Sequence, residues 1–276
     1  MISVQNNISQ KISVIMGIYN CGATLSEAIE SIIAQTYTNW ELIMCDDGSS
    51  DNTYEVAEEY AKKYPQKIKL IRHQMNQGLN ITLNDCLHEA TGGYIARMDG
   101  DDISLPERFE KQVEILNGHP EYAIVSSPMI YFDKDGDWGH GKAKQKPDLS
   151  DFINSTPFCH APAMVRKEAF DKCNGYSLEK YTLRCEDYDL WARMFSLGYR
   201  GYNLQVPYYK MRDDKNAFRR RKLKYALYSC ITRIKAARLL HLPMKAYFIA
   251  FRPIFVSLLP WTIYHYFHVQ KKNRLS

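Results

Sequence analysis

Three carboxylates stand within four residues at Asp99-Gly-Asp-Asp102. Like charges so close repel one another, and the run directly follows the apolar segment Tyr94-Ile-Ala-Arg-Met98, where a turn alone would not call for it. Hard cations such as Mg²⁺ or Mn²⁺ take oxygen ligands and often join one or two carboxylates to substrate phosphates. The cluster therefore reads as a site that holds a diphosphate through a divalent metal. Asp46-Asp-Gly-Ser-Ser-Asp51 is a second acidic run after an apolar segment, and it admits an ordinary reading too, because Asp, Gly and Ser supply turns and helix caps. Glu186-Asp187 opens a helical pattern, a place where acids favour the positive end of the helix dipole. His160, between Cys159 and Ala161, reads in isolation as a buried histidine with its hydrogen bonds satisfied. Other chemistries are missing from the sequence. There is no Gly-x-x-x-x-Gly-Lys-Ser/Thr phosphate loop, no Gly-x-Gly-x-x-Gly after the first strand and no Gly-x-Ser-x-Gly elbow.

Positioning these residues falls to a run of alternating strands and helices. Ile12-Ser-Val-Ile-Met-Gly-Ile18 reads as a buried strand. Thr24 and Glu27 have capping-box spacing ahead of a helix whose stripe is Leu25, Ala28, Ile29, Ile32 and Ile33. Glu41–Cys45, Ile68–Ile71 and Tyr94–Met98 are further strands. Between them lie helices carrying Val56, Ala57, Tyr60 and Ala61, then Leu79, Leu83 and Leu87. Pro106 suits the first turn of a helix with Phe109, Val113 and Leu116 on one face, stopped at Asn117-Gly-His-Pro120. Such repetition implies a mostly parallel sheet covered by helices on both faces. Its ligands belong at the carboxyl ends of the strands, where Tyr19-Asn20, Asp46–Ser49 and Asp99–Asp102 all fall. Later in the chain, Asp133–Asp137 looks like a hairpin tip, His160–Arg166 like a strand, and Glu186–Phe195 like a helix.

Taken in order, Ser13–Asn20, Ser31–Tyr37, Trp40–Asp51, Asn76–Leu79, Gly93–Asp102, Leu105–Arg108, His160–Arg166 and Glu186–Trp191 resemble glycosyltransferase family 2, the inverting enzymes of the GT-A fold. The resemblance spans about Ile12 to Asp214 and points to the bacterial surface-polysaccharide branch. It implies an α/β GT-A fold, with a nucleotide-binding, mostly parallel sheet flanked by helices and a C-terminal helical extension. It implies a donor-binding part over about 12–120 and an acceptor side over about 121–215. By position, Gly17 and Tyr19 match the strand end beside the nucleotide base, Asp47 the acceptor for uracil N3–H, and Asp99 the residue near the ribose. Asp101 matches the metal ligand of the Asp-x-Asp motif, with Asp102 close enough to help, and Asp187 matches the catalytic base. His160 and Glu186 fall on the acceptor side. The implied reaction moves a hexose or N-acetylhexosamine from a UDP-sugar to a saccharide acceptor, lipid-linked by analogy, with Mn²⁺ or Mg²⁺ as cofactor. Absence of Gln-x-x-Arg-Trp speaks for single additions and against processive polymerisation. Two rivals are a sugar-phosphate nucleotidyltransferase, whose glycine-rich basic amino-terminal signature is missing, and an inactive scaffold, which would have no need of Asp99, Asp101 and Asp187.

Charge divides the chain of 276 residues in two. Overall it carries 36 basic and 31 acidic residues, for a net charge of +5, yet 216–276 holds 13 of the basic residues and no acidic one. An acidic body over 1–215 excludes a general nucleic-acid binder. The tail reads as a basic helix over Arg219–Leu240 followed by an apolar, aromatic stretch over 244–270, interrupted by Pro253 and Pro260. Trp261, Tyr264, Tyr266 and Phe267 suit a membrane interface, and the cations suit anionic lipid, so an anionic membrane surface is the expected partner and the tail is expected to be separable after Leu242. A helical hairpin packed on the body, or a homodimer contact, is the other reading. Seven cysteines with no C-x-x-C pair, and an amino terminus without signal-peptide order, lead to a cytoplasmic protein peripheral to the inner face of the cell membrane.

Overall fold

The structure, a computed structural model, describes residues 10–213 and 223–258. Its elements begin β1 (Ile12–Ile18), α1 (Gly22–Ile33), β2 (Trp40–Asp46), α2 (Thr53–Lys63), β3 (Ile68–Arg72), α3 (Leu79–Glu89) and β4 (Tyr94–Arg97). They continue β5 (Ile103–Ser104), α4 (Arg108–Gly118), β6 (Tyr122–Ser126), β7 (Ile130–Asp133), β8 (Gly136–His140), α5 (Asp151–Asn154), β9 (Met164–Arg166) and α6 (Lys167–Cys173). Then follow α7 (Glu186–Ser196), β10 (Arg200–Asn203), β11 (Tyr209–Arg212), α8 (Leu223–Leu239), α9 (Met244–Ile249) and α10 (Arg252–Leu258).

Seven strands form the main sheet in the order β10-β6-β9-β4-β1-β2-β3. All run parallel except β9, which is antiparallel to both of its neighbours. Side chains on the central strands alternate between two cores. Ile15, Ile43 and Cys45 face α3, α5, α6, α7 and α8, whereas Val14, Met16, Leu42 and Met44 face α1, α2 and α4. A two-residue period with both faces apolar is what a sheet covered on both sides demands. After β3 the chain crosses back to place β4 on the far side of β1, so strand order reverses between β1 and β4. A crevice must open at the carboxyl ends of those two strands. The smaller sheet, β5-β11-β7-β8, brings β11 back against β5 beside that crevice.

Several local expectations change. The start of α1 is not a capping box, since Thr24 Oγ1 donates to the Cys21 and Gly100 carbonyls and Glu27 pairs with Arg212 at 2.6 Å. The free N–H groups are met by the next loop instead, with Thr53 Oγ1 accepting from Cys21 N and Asp51 Oδ2 from Gly22 N. Pro106 lies before α4, not in its first turn. The expected strand over His160–Arg166 shrinks to Met164–Arg166, because Arg108 claims the carbonyls of Ala161 and Ala163. In the tail, the basic helix is described from Leu223, while Arg219–Lys222, Trp261 and the later aromatics lie outside the described residues. Ala236, Ala237, Leu240 and Ala246 join the core shared with α7, and Ala250 is 1% exposed. Of the described residues after Leu242, Ala246 and Ala250 are buried, whereas α10 buries none.

Candidate active site

Three strand ends converge in the crevice. After β1, Asn20 takes a left-handed backbone (φ 49) and its Oδ1 accepts from Ser50 N at 2.9 Å, locking this turn to the loop after β2. Thr24 Oγ1 reaches the Gly100 carbonyl at 3.0 Å, which ties α1 to the acidic loop after β4. Gly17 faces α3 closely enough that a Cβ there would meet Thr82 at 3.1 Å, and Tyr19 lies half exposed at the rim. Asp47 is turned inward. Its Oδ1 accepts from Gln77 N and its Oδ2 from Gly78 N, both at 2.8 Å, and His73 Nδ1 lies 2.8 Å from Oδ1. A carboxylate oxygen has two lone pairs, so Oδ2 keeps capacity for one further donor. A cleft of about 360 Å³ opens beside it, lined by Gly48, Ser49, Arg72, His73 and Gln74.

Arg97, at the end of β4, organises the acid cluster. It is 8% exposed and clamps Asp99 with two bonds, Nη1 to Oδ2 at 2.8 Å and Nη2 to Oδ1 at 2.7 Å. Asp101 faces solvent, and its carboxyl is pushed up by the surrounding protein first and by the charge of Asp99 second. Asp102, expected beside Asp101 as a metal ligand, lies deeper than Asp101. It is 2% exposed, and its Oδ1 accepts from Arg212 N at 2.8 Å, so it pins β11 beneath the cluster. Burial and the charges of Asp99 and Asp101 raise its pKa. A raised pKa marks negative charge that is costly to hold at this loop, and a hard cation that takes carboxylate oxygens would offset that cost.

The opposite wall comes from α7 and the segment before β9. Glu186 and Asp187 occupy the first turn of α7, both half-buried. Burial pushes both carboxyls up; Arg97 opposes this in each case, and the charge of Asp187 adds to it at Glu186. His160 lies against the edge of Trp191, with Nε2 2.9 Å from the Tyr176 hydroxyl. Burial, then Arg97, hold its pKa well down, so the ring is neutral. Its contacts match the reading of a satisfied histidine, while its place next to Arg97 keeps it at the edge of the crevice. One cation thus acts on both walls, on Asp99 and Asp101 from one side and on Glu186 and Asp187 from the other.

Residues 13–173 match the family described as Glycosyl transferase family 2, and 94–270 match Glycosyl transferase family group 2. EpsE of Bacillus subtilis (strain 168) is 44% identical over 265 residues, covering 96% of this chain and 95% of its own. The chain belongs to glycosyltransferase family 2. The Amylovoran biosynthesis glycosyltransferase AmsE of Erwinia amylovora is 33% identical, covering 76% of this chain and 79% of its own. In Escherichia coli, WfgD, named as a UDP-Glc:alpha-D-GlcNAc-diphosphoundecaprenol beta-1,3-glucosyltransferase, is 39% identical over 38% of this chain and 40% of its own. The fold is shared with S. aureus TarS bound to UDP-GlcNAc, with a TM-score of 0.69 at 16% identity over 91% of this chain and 77% of that one. It is shared also with the mannosyltransferase PcManGT of Pyrobaculum calidifontis in complex with GDP-Man and Mn²⁺, at a TM-score of 0.64 and 18% identity, over 90% and 74%. The expected GT-A architecture, a mostly parallel sheet flanked by helices with helices at the C-terminal end, is what this glycosyltransferase has.

Several residues of the site are absent from the sequence reading. Arg97 had a signal, since an arginine two positions before Asp99 shares its side of a strand with a two-residue period. Tyr209, whose hydroxyl accepts from Asp99 N at 3.2 Å, and Arg212 had none, because β11 lies more than a hundred residues away in the chain. Arg108 stood inside a quoted motif without a role. It is fully buried, and its Nη2 donates to the Arg97 carbonyl at 2.8 Å, holding the strand end that carries the acid cluster.

Proposed function

We propose that this glycosyltransferase moves a hexose or N-acetylhexosamine from a UDP-sugar, with inversion, to a hydroxyl of a lipid-linked saccharide during synthesis of a bacterial surface polysaccharide. The observation that carries the reading is the shared cation. Arg97 clamps Asp99, and its charge also opposes the upward pKa shifts of Asp101, Glu186 and Asp187, so the carboxylates read here as donor side and acceptor side lie around one guanidinium. The UDP and UDP-GlcNAc complexes of TarS support the donor. The names of AmsE and WfgD support a polysaccharide product and a diphospholipid acceptor.

In this reading Asp47 Oδ2 accepts from the uracil N3–H, and Asp99, fixed by Arg97, faces the ribose. Asp101 would hold a Mn²⁺ or Mg²⁺ ion, which supplies positive charge to the departing diphosphate. Asp187 takes the proton from the acceptor hydroxyl, and its raised pKa makes it a stronger base than an ordinary carboxylate. Attack from the side opposite the leaving group inverts the anomeric carbon without a covalent intermediate. Asp101→Ala should weaken UDP binding in Mn²⁺ by calorimetry and leave the metal-free affinity unchanged. Equal affinity of variant and parent in Mn²⁺ would remove Asp101 from this role.

Attachment to the inner membrane face belongs to the same reading. Phe248, Phe255 and Leu258 are each about two-thirds exposed, and Lys245 and Arg252 lie among them. Burying exposed aromatics beside cations is how a helix lies on an anionic interface. No helix among the described residues is long and apolar enough to cross a membrane.

A further inference from the structure

His73, one residue past β3, lies between two carboxylates. Its Nδ1 is 2.8 Å from Asp47 Oδ1, and its Nε2 is 2.8 Å from Oδ2 of Asp85 on α3. Only a protonated ring donates from both nitrogens; a neutral one would turn a lone pair toward a carboxylate on one side. The ring is 8% exposed, and Asp85 is about half exposed. The other titratable groups here are the Cys45 thiol, 3.4 Å from Nε2, and Cys86 behind it, while Arg72 is turned away to Asp46 and the Tyr54 ring. Asp47 is otherwise held by two backbone N–H groups at the start of α3, and the same helix carries Asp85.

We infer that His73 is a positioning residue for the nucleotide base: bridged to Asp85, it holds Asp47 with Oδ2 free to accept from a ring N–H. The inference rests on the uracil reading of Asp47 above. It also explains a specificity. An acceptor-only carboxylate suits the N3–H of uracil and opposes the N3 lone pair of cytosine, so a fixed Asp47 favours UDP over CDP. Burial alone would lower the His73 pKa, but the hydrogen bonds to Asp47 and Asp85 outweigh it and the net shift is upward. The bridge is therefore intact below the ordinary histidine range and is lost as pH rises through the raised value.

The test measures UDP and CDP affinity by calorimetry from about pH 6 to 9, with the His73 ring followed by NMR. In the parent, UDP affinity should hold at the acidic end and fall about tenfold above the His73 transition, with the preference over CDP shrinking in step. His73→Gln should bind UDP about tenfold more weakly at pH 6 and show no such limb. Asp85→Asn, a half-exposed change, should move both the ring titration and the affinity limb to lower pH. A limb unmoved in Asp85→Asn, or a parental profile in His73→Gln, would overturn the inference. So would a stoichiometric Zn²⁺ held by the parent and lost in Cys45→Ser, because Cys45, His73 and Asp85 would then be ligands. A parent that binds neither UDP nor CDP would refute the uracil reading, whereas the NMR titration reports on the bridge whatever the nucleotide.

Discussion

At the scale of single residues, Asp187 joins reactivity to stability. Its carboxyl sits above the ordinary range chiefly because of burial, so ionising it costs more in the fold than in the unfolded chain. As the proposed base, Asp187 must be ionised for turnover, which should rise with pH through that elevated pKa. Asp187→Asn keeps the shape and removes the proposed base, so turnover should drop by about 10²–10⁴ while UDP affinity holds. The stability effect has the opposite direction. A raised carboxylate pKa leaves the protonated form at full stability and costs stability as pH climbs past the unfolded value. The variant should therefore melt no lower than the parent near neutral pH, and the gap should close toward about pH 4. A variant with parental turnover would assign the base to Glu186 or Asp189, and a lower neutral melting point would contradict the cost assigned to the charge.

Among elements, the end of β4 depends on a helix packed beneath it. Arg108, in the first turn of α4, donates to the Arg97 carbonyl, and Gln112 one turn on reaches the Val125 and Pro162 carbonyls. Burial brings the guanidinium down to about 10, with Arg97's charge adding to it, so it stays charged at neutral pH. Arg108→Met fills similar space but removes the side-chain donor to the Arg97 and Ala161 carbonyls. A loss of about 2–4 kcal/mol is expected in urea unfolding, together with weaker UDP binding as the acidic loop loses its anchor. An unchanged unfolding midpoint would show that the carbonyls find other partners. The loop after β2 is set by sterics instead. Gly48 has φ 71, and a Cβ would come within 2.8 Å of the Met75 backbone, so the turn that brings Asp47 to α3 requires glycine.

Across the whole molecule, the basic tail divides differently from its charge. Its first part, α8 and α9, is core: Thr232 Oγ1 donates to the Tyr181 carbonyl at 2.7 Å, Arg233 lies 4.8 Å from the Tyr188 ring centroid, and Ala246 is 5% exposed. These contacts brace α7 and hence Asp187. From Arg252 onward no described residue is buried. Removing residues 252–276 should leave a folded protein that binds UDP like the parent and has lost most of its sedimentation with anionic vesicles at low salt. High salt should release part of the full-length protein and detergent the remainder, since screened attraction and apolar burial both contribute. A full-length chain that ignores anionic vesicles would assign the exposed Phe248 and Phe255 to a protein partner.

Local periodicity carries much of this protein. The buried apolar runs Ile12–Ile18 and Glu41–Cys45, the helical stripes and the acidic runs at strand ends all read directly from the sequence, because burial on both faces of a sheet dictates which residues can stand where. A reversal of strand order then brings Asp47 and Asp99 into one crevice. Long-range pairing decided the remainder. Thr24 and Glu27 have the spacing of a cap but find partners in Gly100 and Arg212, and Asp102 looks equivalent to Asp101 until β11 takes its carboxylate. His73 owes its role to carboxylates arriving from other elements, and Arg97, whose bonded partner Asp99 is two residues on, acts on Glu186 and Asp187 only once α7 has packed. An ionisable group's state is set by the charges and solvent around it, and those neighbours are chosen only when the chain has folded.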